Sequence, residues 1–211
     1  MRVLAIDTCG VEGSVALAEI VGADMRLIAQ KLLAGKTCAE LLIPGIRELL
    51  ERHGLTVKEL GAVVVVRGPG GFTGVRAGLS TAKGLAQAAG LPLIGLSRLQ
   101  VLAHAAASRA AALDAGRGEV YFGLAGQEDT EALLHLDEVQ ARVEEADVAC
   151  CEEHVARSLP GGRVVAAPTA EDALRLALER LWRGEFDDLA RMDAHYLRRS
   201  QAEVVADGAA R

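Results

Sequence analysis

VVVVRGPGGFTGVRAGLSTAKGLAQAAG, residues 63–90, joins an unbroken apolar strand to a glycine-rich loop and then to a helix. The valines show no polar alternation, which predicts a strand buried on both faces and therefore parallel and central in its sheet. A loop of this kind before a helix often holds a phosphate on its free N–H groups. The Walker pattern fails, because Thr73 and Val75 stand where Gly68 or Gly70 would require the second glycine. The dinucleotide fingerprint fails at Thr73, with Gly74 one residue late. Anion binding by the loop stays open as an alternative.

At about 100° per residue the helix separates into three stripes. Val75, Leu79, Ala82 and Ala86 are apolar and should pack on the sheet, while Arg76, Ser80, Lys83 and Gln87 are polar. Ala77, Thr81, Gly84 and Ala88 are all small. Interior glycines such as Gly78 and Gly84 each cost a helix about 1 kcal/mol relative to alanine. Either Gly84 admits a neighbouring element of the same fold, or the small stripe receives a helix of another chain. The stripe alone does not choose.

Outward from this stretch the chain reads as α/β. Arg2–Asp7, Ser14–Ile20 and Met25–Leu33 predict an antiparallel meander. Thr37 and Glu40 form a capping box, opening a helix with Leu42, Ile46, Leu49 and His53 on one face and Gly54 at its end. Pro44 inside that helix is expected to bend it. LPLIGL (91–96) is a further strand, and Ser97 with Gln100 forms a capping box for a helix to Ala107. The first half therefore runs β-β-β-α-β-α-β-α.

Beyond it, AALDA (111–115) and EVYFGLA (119–125) read as paired strands, DEVQARVEE (137–145) as a helix, and ADVACCE (146–152) and GRVVAA (162–167) as strands. Thr169 and Asp172 open a long helix carrying Leu174, Leu178, Leu181 and Trp182. The expected organisation is two lobes in contact, 1–107 and 108–211. The second is expected to be poorer in elements and to carry the C-terminal helix and tail.

Hydrophobic residues make up 51% of the chain and charged residues 25%, enough to bury a core and stay in solution. Only 3% are aromatic, so packing must rest on Ala, Leu and Val. No apolar run approaches the roughly 20 residues of a membrane span. MRVLAIDT lacks a signal-cleavage pattern, and the expected compartment is the cytoplasm. Cys9, Cys38, Cys150 and Cys151 contain no C-x-x-C pair, and the histidines no i, i+4 pair. Reduced, buried thiols and no metal site are expected. With a net charge of −6, and no basic cluster beyond LRRS near the end, RNA should be reached only through other members of an assembly.

RGPGGFTGVRAGLSTAKGLA (67–86) resembles the signature of the TsaB (YeaZ) family. LAIDTCGVEGSVAL, AELLIPGIRELL, DAGRGEVYFG and HYLRRSQ extend the resemblance along the chain. Gly71 stands where the family commonly has serine, Cys38 where many relatives carry histidine, and Ala194 where proline is common. The resemblance implies an actin-like ASKHA (ribonuclease H-like) fold with a reduced second lobe. It also implies an accessory role in making tRNA threonylcarbamoyladenosine, with catalysis left to the TsaD-type transferase. Partners so implied are that transferase, a TsaE-type ATPase and, for the isolated chain, a second copy through the same helices. The implied interface includes Leu42, Ile46, Arg76, Ala77, Ser80, Thr81, Gly84 and Ala88. Arg98 and Leu102 fall where the transferase has two metal-binding histidines, and neither can ligate a metal.

Asp7 and Thr8 end the first strand, where ATP-using members of the fold hold phosphate. With Gly70 and Gly71 they are candidate nucleotide contacts, weighed against an ordinary solvated turn. ATP gripped at the interface with the partner would reconcile the two. Asp114, Arg117, Glu119 and Tyr121 read as inter-lobe structure, with Asp114 expected to pair with Arg117, and Arg198 and Arg199 as contacts to RNA or a partner. An independent ATPase or kinase is the main rival, and a metallopeptidase a lesser one.

Overall fold

The computed structural model describes residues 1–35, 38–143 and 147–198. Thr37 of the expected capping box and Arg199 lie outside the described residues. The first half forms β1 (Arg2–Asp7), β2 (Gly13–Val21), β3 (Asp24–Leu33), α1 (Cys38–Arg52), β4 (Ala62–Val66), α2 (Phe72–Ala89), β5 (Leu93–Leu96) and α3 (Arg98–Ala105). Its sheet runs β3-β2-β1-β4-β5. The meander is antiparallel, and the valine strand β4 lies between β1 and β5, parallel to both. Helix α1 runs unbroken through Pro44. It ends where Gly54 takes φ 64° and Leu55 N donates to Leu50 O at 3.0 Å, the left-handed stop that glycine makes without a Cβ penalty.

The second half forms β6 (Ala110–Gly116), β7 (Glu119–Leu124), β8 (Gln127–His135), α4 (Leu136–Arg142), β9 (Val148–Cys150), α5 (Glu153–Ser158), β10 (Gly162–Val164) and α6 (Ala170–Arg183). Its sheet runs β8-β7-β6-β9-β10, with the same pattern of parallel and antiparallel neighbours as the first. Both halves therefore follow one plan, in the actin-like arrangement that the resemblance implies. The second is not poorer in elements, but α4, α5, β9 and β10 are shorter than their counterparts α1, α2, β4 and β5. Strand β8 and helix α5 are additions to the sequence reading. The first is a half-exposed strand with little polar alternation, and the second, at six residues, is too short to show a period.

The last helix of each half packs on the sheet of the other. Helices α1 and α2 cover one face of the first sheet, through Leu42, Ile46, Leu79 and Ala82. Its other face is covered by α6, whose Ala170, Ala173, Leu174, Ala177 and Leu181 join Val3, Ala5, Ala16 and Val64. Helix α3 instead lies on the second sheet, with Leu99, Leu102 and Ala103 against Ala111, Leu113 and Ala149. The far face of that sheet carries α4 and α5 over Phe122, Val120 and Val148. So α3 and α6 touch each other between the two sheets. The C-terminal helix, expected with the second lobe, belongs by packing to the first. No helix among the described residues is long and apolar enough to cross a membrane.

Candidate functional site

The glycines after β4 accommodate the chain's own β1–β2 turn. Gly71 N donates to Cys9 O at 2.9 Å, and Thr8 Oγ1 donates to Gly74 O at 2.6 Å. A Cβ at Gly70 would stand 2.2 Å from Cys9 O, one at Gly74 2.0 Å from Thr8 O, and one at Gly78 2.3 Å from Thr8 Oγ1. Only glycine permits that approach.

The turn is consequently not solvated where it begins: Asp7 and Thr8 are 2% and 1% exposed. Asp7 Oδ1 accepts from Cys9 N at 2.9 Å. Burial pushes its carboxyl above the usual range, and the nearby Arg98 guanidinium opposes the shift. Of the candidate nucleotide contacts, Thr8 spends its hydroxyl internally and Gly70 is pressed against Cys9. Gly71 remains exposed.

On α2 the stripe Val75, Leu79, Ala82 and Ala86 is buried on the sheet as expected. Arg76, Ser80, Gly84 and Ala88 are exposed, and Ala77 and Thr81 half-buried. A Cβ at Gly84 would meet nothing within 4 Å, so the fold itself does not need glycine there.

Leu42 and Ile46, expected on the same docking face, are 1% and 4% exposed and belong to the chain's own core. Burial against the first sheet removes them from any interface. The outward apolar residues of α1 are Leu41 and Ile43, at 41% and 51% exposure. Beside Ile43 a cavity of about 310 Å³ opens between α1 and α2, lined by Leu50, Leu55, Val57 and Leu85. At the start of α2, exposed Phe72 stacks on Tyr196 with ring centroids 5.7 Å apart. The Arg76 guanidinium lies 3.8 Å from the Phe72 centroid, and its Nε donates to the Tyr196 hydroxyl at 2.9 Å.

Residues 31–139 match the family model described as TsaD: tRNA N6-adenosine threonylcarbamoyltransferase. The chain is 37% identical over 159 residues to the Escherichia coli tRNA threonylcarbamoyladenosine biosynthesis protein TsaB, covering 69% of this chain and 67% of that one. The Bacillus subtilis protein of the same name is 33% identical over 129 residues, covering 59% of this chain and 55% of its own length. The solved structure of YeaZ from Pseudomonas aeruginosa superposes with a TM-score of 0.77 at 29% identity, covering 93% of this chain and 99% of that chain. The chain belongs to the TsaB (YeaZ) family.

A C-terminal strap gives this member of the TsaB family a second constellation. After α6, Asp187 N donates to Leu93 O at 2.9 Å and Asp187 Oδ2 accepts from Gly95 N at 2.8 Å. Lys83 Nζ then donates to Met192 O at 2.8 Å, and His195 N to Arg67 O at 2.7 Å. The Glu131 carboxylate, fully buried, lies 2.7 Å from His195 Nε2 and accepts from Ser97 Oγ and Gln100 Nε2, each at 2.7 Å.

Gln100 therefore does not close the expected capping box, although Ser97 Oγ still accepts from Leu99 N at 3.2 Å. The sequence reading missed Glu131 because β8 itself was missed. Arg198 ends the described strap, 2.8 Å from Glu119 and from Ala115 O. Asp114 does not pair with Arg117. It accepts from Gly116 N at 2.8 Å and lies 3.6 Å from His154 Nε2. On α3, Arg98 and Leu102 are 8% and 0% exposed, and neither side chain offers a donor atom to a metal.

Proposed function

We propose that this chain is a non-catalytic accessory subunit in tRNA threonylcarbamoyladenosine biosynthesis, docking through α1 and α2 onto a TsaD-type transferase. The observation that carries this reading is Gly84. It is a helix-interior glycine facing open space, in a stripe whose neighbours Ala77, Thr81 and Ala88 are also small. Retaining glycine there forgoes about 1 kcal/mol of helix stability with no return inside the chain. Small residues let a second backbone approach closely and gain dispersion contact. The face consists of Arg76, Ala77, Ser80, Thr81, Gly84 and Ala88 on α2 with Leu41 and Ile43 on α1.

In this reading the same face pairs two copies when the transferase is absent. A TsaE-type ATPase joins the cytoplasmic complex, tRNA is met only through the complex, and ATP acts at the subunit interface. Family membership and the filling of the glycine-rich loop by the chain's own turn support this over an independent ATPase or kinase.

Gly84→Leu tests the face. The variant is expected to unfold at a urea midpoint equal to or above that of the parent, because leucine is the better helix former. It should no longer co-elute with the transferase on size exclusion. Undiminished co-elution would remove this surface from the proposal.

A further inference from the structure

We propose that the C-terminal strap, residues 186–198, is a latch across the two halves, closed by the contact between His195 and the buried Glu131 and able to open while both sheets stay folded. The latch does not depend on the docking face.

By packing, the chain crosses from the first sheet to the second at Ser97, where β5 gives way to α3. It returns through residues 165–169, before α6. The strap is a third crossing. Met192, 8% exposed, sits in the core of the first sheet, and Leu197 packs against the cluster of Leu99, Leu113 and Ala149 on the second. Between these anchors His195 passes over the glycine-rich loop, where a Cβ at Gly68 would stand 3.0 Å from His195 O.

Glu131 joins two of the crossings. Its Oε2 accepts from Ser97 Oγ at the first and lies 2.7 Å from His195 Nε2 at the third, while Gln100 Nε2 donates to Oε1. The second sheet makes room for this one side chain: a Cβ at Gly123 on β7 would stand 2.6 Å from Glu131 Cγ. With its carboxylate pinned by three partners, Glu131 cannot swing aside.

Opening costs the two sides of this contact unequally. When His195 leaves, Ser97 and Gln100 still donate to Glu131, so no buried carboxylate is orphaned. Of residues 186–198, only Met192 is buried. The other ties of the strap are polar and border solvent: Asp187 on the β5 edge, Lys83 Nζ on Met192 O, Arg76 on Tyr196 and Arg198 on Glu119. Segments with few buried apolar contacts open at a lower free energy than the whole chain. The contact of α3 with α6 then remains as the pivot about which the halves turn.

Amide hydrogen exchange of the full chain, followed by NMR, tests the latch. In the parent, the amides of Asp187, Gly95 and residue 195 should exchange together and faster than those of β1 and β4. In His195→Ala the same three should quicken by about ten- to a hundredfold, the range for a lost hydrogen bond to a carboxylate. Those of β1 and β4 should not change. His195→Gln keeps an N–H donor and should recover most of the protection. Residual dipolar couplings of the two sheets should fit one alignment tensor in the parent and need two in His195→Ala. The latch is overturned if the three amides are as protected as β1 and β4 in the parent, or if His195→Ala leaves them unchanged. It is overturned equally if that variant quickens the whole chain alike, fails to fold or keeps one tensor, or if His195→Gln does no better than alanine.

Discussion

A fragment ending at Ala107 is expected to fail to fold on its own, although it contains a complete five-stranded sheet. It lacks α6, whose Ala173, Leu174, Ala177 and Leu181, each 3% exposed or less, cover Val3, Ala5, Ala16 and Val64. It would also leave Leu99 and Leu102 of α3 without Leu113 and Ala149 beneath them. Each large apolar side chain so exposed costs about 1.5–3 kcal/mol. A handful of them matches the about 5–15 kcal/mol by which a domain is stable. Far-UV circular dichroism and urea unfolding of residues 1–107 should show no cooperative transition, and a peptide spanning 168–185 should restore one. A steep transition from the bare fragment would mean that the lobes fold independently. In the whole chain, Leu174→Ala should cost about 2–5 kcal/mol.

Two glycines of one helix should respond to alanine with opposite signs. At Gly74 the new Cβ would stand 2.0 Å from the backbone oxygen of Thr8, and the Thr8 hydroxyl crosses the same contact to Gly74 O. Neither neighbour is the free end of a flexible side chain, so β1 and α2 must separate. The expected loss is about 3 kcal/mol, at the upper end for overpacking. Gly84→Ala, by contrast, enters open space and should gain up to about 1 kcal/mol. Urea midpoints of the two variants decide this. A shift in the same direction for both would defeat the distinction between a glycine the fold needs and one it does not.

The first sheet was legible in the sequence because its signals are long: a run of valines, an 18-residue helix and a glycine stop at Gly54. The second was half legible, because α5 is only six residues long and β8 carries Glu128, Asp129 and Glu131 along a half-exposed strand. Leu42 and Ile46 went to the wrong side of α1 for a different reason. Helical spacing shows that they share a face, and such an apolar face usually turns inward. The outward signal was the pair Leu41 and Ile43, which break that stripe. The exchange of α3 and α6 has no local signature, since an amphipathic helix does not name the sheet it will cover. Arg98 was visible only as a residue that cannot hold a metal; that its Nε is buried without a hydrogen-bond partner is a property of the folded chain.

The exchange of final helices has a consequence for synthesis on the ribosome. Translation reaches Ala105 with one face of the first sheet bare, and that face is closed only when Arg183 has been added. At about 5–20 residues per second the interval lasts roughly 4–16 s. Throughout it, the nascent polypeptide displays an alanine- and valine-rich surface that a holdase chaperone could grip.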